Sequence, residues 1–109
     1  MDIGKAGQVA VIFVSRRTPD DAAGYAEAAD EMLALAQSQP GYVGVHSARD
    51  ATGFGITVSY WESEAAAKAW RNHPRHSEIR DAGRALWYQN YHTIVADVTR
   101  SYDWSRDVL

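Results

Sequence analysis

QVAVIFVS, residues 8–15, is an unbroken apolar run rich in valine and isoleucine, and its length suits a β-strand. Along an extended chain Val9, Val11 and Phe13 point one way and Ala10, Ile12 and Val14 the other. A strand of this kind needs apolar cover on both faces. The rest of the chain must supply it.

Working outward, RTPDDAAGYAEAADEMLALAQSQPG (17–41) reads as a helix. Thr18 can serve as its N-cap, Pro19 suits the first helical position, and Asp21 falls three residues after Thr18 as in a capping box. Tyr25, Ala29, Met32, Leu33 and Ala36 recur at helical spacing and form the expected buried stripe, with Glu27, Asp30 and Glu31 toward water. Pro40-Gly41 ends the helix. Tyr42–Asp50 and Phe54–Trp61 read as strands joined by Ala51-Thr52-Gly53, an antiparallel hairpin. Gly53-Phe54-Gly55 is no dinucleotide motif, since no helix follows and the third glycine is absent. Ser63 caps a second helix, EAAAKAW (64–70), with Glu64 favourably placed at its positive end. Pro74 lacks the amide hydrogen needed to continue it, so the chain bends near His73 and restarts toward about Leu86. Trp87–Tyr102 reads as a long last strand.

The order β-α-β-β-α-β predicts an α+β, ferredoxin-like fold: an antiparallel four-stranded sheet with its helices on one face. Two helical regions cover only one side of QVAVIFVS. The simplest cover for the other side is a second copy, sheet against sheet, in a two-fold homodimer forming a dimeric α+β barrel.

Length and composition agree with a single domain over 1–109, with a core of about 8–102 and a tail at 103–109. The chain has 46% apolar and 23% charged residues and a net charge of -3, which speaks against nucleic acid or an anionic membrane as an electrostatically captured partner. With no cysteine, disulfides, thiolate metal sites and cysteine nucleophiles are excluded. No apolar run approaches the roughly 20 residues of a membrane span, and Met1–Gly7 lacks the order of a signal peptide, so a cytoplasmic location is expected. Four tryptophans and six tyrosines stand out, all but Tyr25 and Tyr42 crowded into Tyr60–Trp104.

That same region, YWESEAAAKAWRNHPRHSEIRDAGRALWYQNYHTIVADVTRSYDW, closely resembles the antibiotic biosynthesis monooxygenase superfamily. These are small dimeric α+β-barrel proteins that include quinone-forming and heme-degrading oxygenases. The resemblance rests on Tyr60-Trp61, Ser63-x-x-Ala66, Ala69-Trp70, His73-x-x-His76, Gly83-Arg84 and Trp87-Tyr88, and the element order extends it to about Gln8. It implies a ligand pocket between helices and sheet in each subunit, lined by Trp70. The heme-degrading members' first-strand asparagine has no counterpart in residues 8–15, and the residue ten after Trp70, where their heme-ligating histidine stands, is Arg80.

What the resemblance implies is a cofactor-independent monooxygenase that oxidises an electron-rich aromatic small molecule with O2. His73 or His76 would be the base, with the Trp70 indole N–H and Arg80 as stabilisers, and Trp61, Trp87 and Tyr91 around the substrate. A heme-binding or heme-degrading protein and a non-catalytic small-molecule-binding dimer are the alternatives. Read from the residues alone, the two histidines have plainer uses: partners for free carbonyls at the first helix end or for Glu78. Metal binding would need a further ligand, with His46 or Glu78 as candidates that no spacing selects. Trp61 and Trp87 can equally be core. Arg84 reads as a surface charge or an anion clamp, and Tyr102 and Trp104 stand where they could reach a second subunit.

Overall fold

The computed structural model describes residues 3–106. Along it run β1 (Val9–Arg17), α1 (Ala22–Gln37), β2 (Tyr42–Arg49), β3 (Phe54–Trp61), α2 (Glu64–Arg71), α3 (Pro74–Ala82), a π-helical turn (Gly83–Trp87) and β4 (Tyr88–Asp97). The strands form one antiparallel sheet in the order β2-β3-β1-β4, the ferredoxin-like arrangement. β1 is central, as its apolar run requires. No helix among the described residues is long and apolar enough to cross a membrane.

Register divides the side chains between the faces. Val9, Val11, Phe13 and Ser15 pair across β1–β3 with Trp61, Ser59, Thr57 and Gly55. The core of Val9, Trp61 and Ala67 puts this set on the helix side. Ala10, Ile12 and Val14 pair with Tyr60, Val58 and Ile56, and on the other flank with Ala96, Ile94 and His92, on the outer side. Cover there is partial: Ile3 packs so closely on Gly44 that a Cβ at Gly44 would lie 2.4 Å from its Cδ1, and Gly4 lies over the Tyr60 ring. Phe54, Ile56 and Ile94 remain 39%, 41% and 39% exposed.

α1 begins later than the sequence suggests, because Thr18 is engaged elsewhere. Its hydroxyl donates to the Leu86 carbonyl at 2.7 Å and accepts the Asp20 N–H. Asp21 is the N-cap, in the left-handed region at φ 48° and ψ 53°. Its Oδ1 accepts the Gly24 N–H at 3.2 Å while its Oδ2 accepts the Trp87 indole N–H at 3.1 Å, so one carboxylate caps α1 and anchors the π-helical turn. Asp21→Ala should remove a cap worth about 1 kcal/mol. It also strands a buried indole N–H at a cost of about 1–3 kcal/mol. Asp21→Asn keeps the cap but turns an amide donor or a single acceptor toward two N–H groups, so its urea midpoint should fall between those of Asp21→Ala and the parent chain.

The buried stripe of α1 is also displaced. Ala28, Ala36 and the half-buried Tyr25, Met32 and Leu35 face inward, whereas Ala29 and Leu33 are exposed. Tyr25 sets this phase, because its ring packs edge-on against Trp87 and Tyr88. Both strands of the hairpin form as expected, ending at Arg49 rather than Asp50, whose carboxylate instead caps the turn through Thr52 and Phe54. Ser63 caps α2 through the Ala66 N–H, and Pro74 opens α3. α2 docks tightly at Gly41, where φ is 83° and any Cβ would lie 2.5 Å from the Ala66 methyl. β4 is shorter than expected, starting after Trp87 and stopping at Asp97; 98–106 carries no regular structure. Arg75 of α3 grips Glu31 of α1 with two N–H groups and Glu78 with a third, which holds the Glu31 carboxyl below its usual range.

Candidate active site at the α2–α3 junction

Because α2 must stop before Pro74, its last carbonyls lack helical partners and α3 must be capped by something else. The two histidines meet both needs. His73 is the N-cap of α3, its Nδ1 accepting the Arg75 N–H at 3.1 Å. His76 Nδ1 lies 3.0 Å from the Trp70 carbonyl, which also accepts the His73 backbone N–H at 3.0 Å at the end of α2. Glu78 is taken by Arg75.

These contacts fix two different tautomers. A carbonyl can only accept, so His76 Nδ1 carries the hydrogen and the neutral ring presents an unprotonated Nε2. His73 Nδ1 accepts, so its neutral ring carries the hydrogen on Nε2. His76 Nε2 has no partner among the described residues. Burial pushes the His76 pKa below the usual histidine value, the Trp70 carbonyl opposes this, and the charges of Arg80 and His73 add to the lowering. At neutral pH His76 is therefore a free base held in one orientation.

Trp70 stacks on His76, with ring centroids 4.7 Å apart and 13° between planes, and on Trp61, at 6.3 Å and 24°. The three tryptophans nearest the helix layer differ in one respect. The Trp61 indole N–H donates to Ser59 Oγ at 2.9 Å and that of Trp87 to Asp21. The Trp70 N–H is uncommitted among the described residues. Arg80, one turn past His76 and half-buried, gives one N–H to Ser77 Oγ at 3.3 Å and pairs with no carboxylate among the described residues. Base, indole donor and cation thus come from consecutive turns of α2 and α3. Beside Trp70 a concavity of about 380 Å³ opens between α2 and Gln39–Gly41.

Trp87 and Tyr91 are not part of this group. They belong to a second cluster near the other end of the helix-side face, with Phe13 against Tyr88 and Tyr91, and Tyr25 between Trp87 and Tyr88. Arg17 lies 3.8 Å over the Tyr25 ring, and Arg49 donates to Ser15 Oγ at 2.8 Å and to the Tyr25 hydroxyl at 3.4 Å. Burial raises the Tyr88 hydroxyl pKa well above the usual value, the adjacent Tyr25 adds to this, and Arg49 and Arg17 oppose it. Arg84 is exposed, as a surface charge would be, and its Nε donates to the Tyr91 hydroxyl at 2.6 Å beside a concavity of about 270 Å³ formed with Tyr88–Tyr91. Between the clusters the helix layer leaves the sheet uncovered. Val11, Phe13, Thr57 and Ser59 are half-exposed and Thr93 and Val95 exposed, so the expected chamber is an open trough rather than a closed cavity.

Tyr25, Tyr88, Arg17 and Arg49 were not legible as site candidates from residue type. Parity could have found them, since Ser15, Arg17 and Arg49 share the helix-side face with Val9 and Phe13. His46 is removed from any metal reading with His73 and His76, because it lies on the outer face against the Tyr60 hydroxyl. No group of three histidine, aspartate or glutamate side chains among the described residues could share an ion.

The antibiotic biosynthesis monooxygenase family model matches residues 8–82, from β1 through α3. A Bacillus subtilis (strain 168) protein named "Uncharacterized protein YqjZ" is 48% identical over 91 residues, covering 84% of this chain and 79% of its own. Among solved structures, SnoaB from Streptomyces nogalater, titled a cofactor-independent oxygenase, superposes with a TM-score of 0.74 at 16% identity, covering 88% of this chain and 97% of that one. Rv0793 from Mycobacterium tuberculosis superposes with a TM-score of 0.72 at 19% identity, over 91% and 99% of the two chains.

Proposed function

We propose, for a chain that belongs to the antibiotic biosynthesis monooxygenase family, a monooxygenase that oxidises an electron-rich aromatic small molecule with O2 and needs no cofactor. The observation that carries this reading is His76: a half-buried imidazole, neutral at pH 7, with Nε2 free and its ring stacked on Trp70. The structural likeness to SnoaB, titled a cofactor-independent oxygenase, supports the same reading.

The chemistry follows from what these residues offer. A planar substrate lies in the trough against Val11 and Trp70; Trp61, expected around the substrate, is 0% exposed in the core beneath Trp70 and does not reach it. His76 Nε2 takes a proton from an acidic C–H or O–H, as in an anthrone or hydroquinone-like phenol. The resulting anion is rich enough to give one electron to O2, and recombination of the radical pair forms a C–O bond to a substrate peroxide. His76 returns its proton, and loss of water leaves a new carbonyl. For an anthrone the balance is methylene plus O2 to carbonyl plus water: the methylene carbon supplies all four electrons, so no reductant enters. The Trp70 N–H and the Arg80 guanidinium stabilise the charge that develops on oxygen. His73 supports this by starting α3 at the right place.

A heme would require a histidine nitrogen facing a slot for the macrocycle. Neither concavity has His73 or His76 in its lining, which gives the heme alternative no support from these two sites, and no step is routed through heme. The working unit is a homodimer joined through the outer sheet faces, which would cover Phe54, Ile56 and Ile94.

With anthrone as probe and 18O-labelled dioxygen, the purified chain should yield a quinone carrying one labelled oxygen, without added flavin, nicotinamide or metal. A turnover that appears only with added hemin, accompanied by a Soret band that His76→Ala shifts, would select the heme reading instead. Binding of the probe without turnover would leave a non-catalytic binding protein.

A further inference from the structure

We propose that Arg17 and Arg49, with the Tyr25 and Tyr88 hydroxyls, form a carboxylate-binding subsite at the end of the trough away from His76, and that the substrate is a fused-ring aromatic acid anchored there. The inference deepens the reading above and rests on it. The two guanidinium groups flank one ring, with Cζ of Arg17 and of Arg49 at 3.8 and 5.7 Å from the Tyr25 centroid. Both arginines are half-buried, and no carboxylate among the described residues pairs with either. In a chain of net charge -3 this is a local excess of two positive charges set among neutral groups. Charge drawn partly out of water is costly until an opposite charge joins it.

Fastening the strands accounts for the position of Arg49 but not for its charge, since neutral acceptors are all that it meets. Its Nη1 donates to the Ser15 and Gly53 carbonyls, and its Nη2 to Ser15 Oγ and the Tyr25 hydroxyl. Gly55 of β3 makes the room, because a Cβ there would lie 2.7 Å from the Arg49 Cζ. The cation is thus held in place before any ligand arrives, which lowers the ordering cost of binding. Arg17 gives its Nε–H to the Trp87 carbonyl at 3.2 Å and an Nη2 hydrogen to the Asp20 carbonyl at 3.0 Å. Its Nη1 is uncommitted among the described residues. The Tyr25 and Tyr88 hydroxyls meet each other and make one hydrogen bond between them, so one of their two hydrogens is left for a ligand. Guanidinium edge and phenol are donors here, and an ionised carboxylate only accepts.

The distance to His76 sets the size of the ligand. Ser15 stands four residues along β1 from Val11, which packs with Trp70 at the other end, so the two ends lie about 13 Å apart at roughly 3.3 Å per residue. Phe13, half-exposed between them, is an apolar floor. A single-ring acid is too short to touch both ends, whereas three fused rings bearing a carboxylate span them. Tyr88 also lines the concavity that holds Arg84, a third guanidinium without a carboxylate partner among the described residues, so an anion approaches along a positive edge.

Fluorescence titration of the full chain with anthracene-2-carboxylate and with its methyl ester reads binding without turnover. The acid should bind about tenfold or more tighter than the ester, as for hydrogen bonds to a charged group. Arg17→Met, and separately Arg49→Lys, which keeps the charge but loses the fork, should each cut that preference by about tenfold while leaving the ester affinity unchanged. Circular dichroism checks folding, and Arg17→Met carries the test alone if Arg49→Lys does not fold. Equal affinity for acid and ester, a preference that survives the substitutions, or no binding of either probe overturns the subsite. Inorganic phosphate that displaces the acid with equal affinity overturns its role in holding substrate. Acid bound through the arginines, with no O2 consumed when anthrone-2-carboxylate is supplied, upholds the subsite and overturns the oxygenase reading.

Discussion

Replacing Trp61 with alanine should lower the unfolding free energy by about 3–5 kcal/mol, the range for emptying a buried aromatic site. The residue is 0% exposed and sits where three elements meet. Val9 lies across from it on β1, Tyr42 of β2 packs edge-on at 5.7 Å, and Ala67 and Trp70 of α2 close over it. Val9, Ala66 and Ala67 are too short to fill the space it would leave. A domain of this size is stable by only about 5–15 kcal/mol in total, so the variant should be marginal at 37 °C. Trp61→Phe should cost less, losing the indole hydrogen bond and leaving the Ser59 hydroxyl without its donor. Leu33→Ala, at a position 43% exposed, should change the urea midpoint within about 0.5 kcal/mol of the parent chain. A Trp61→Ala loss no larger than that of Leu33→Ala would mean that the α2 layer is not held by this side chain.

That contrast also marks where sequence reading succeeds. The sheet was legible because QVAVIFVS alternates two apolar sets, a pattern that only a central strand with both faces in use can satisfy. Ser63, Pro74 and the hairpin were legible because each acts through its own backbone. Thr18 and the α1 stripe misled for the opposite reason. Asp21 wins the cap because the Trp87 indole, distant in sequence, adds a second hydrogen bond to the same carboxylate, and that long-range contact rotates the helix so that Ala28 and Leu35, not Ala29 and Leu33, turn inward. The site divides in the same way. His73, His76 and Trp70 are joined by the helix break, so their grouping follows from local rules. Trp87 and Tyr91 share only their aromatic character with them, and the registers of β1 and β4 carry them into the company of Tyr25, Arg17 and Arg49.

Replacing His76 with glutamine is expected to lower kcat for aromatic oxidation by about 10²–10⁴-fold, the usual contribution of a positioned general base, while leaving the fold intact. The same substitution at His73 should instead cost about 1 kcal/mol of stability as a lost helix cap, with a much smaller effect on turnover. The pH behaviour separates the two further. The groups facing the His76 ring are the Trp70 carbonyl, which favours its charged form, and Arg80 and His73, which together with burial disfavour it. The folded pKa thus lies below the unfolded value of about 6.5. Activity should persist to pH values where a free histidine is already protonated, with its acid limb below about 6.5. Stability follows with a definite sign. As pH falls below the unfolded value, the unfolded chain takes up the proton first, so the native state loses stability over that window, whereas above it both states are neutral and His76 contributes nothing. The difference in stability between the parent chain and His76→Gln should therefore be level at pH 7 and above and tilt against the parent chain on acidification. An acid limb at or above the free-histidine value, or equal turnover in the two glutamine variants, would place the base elsewhere.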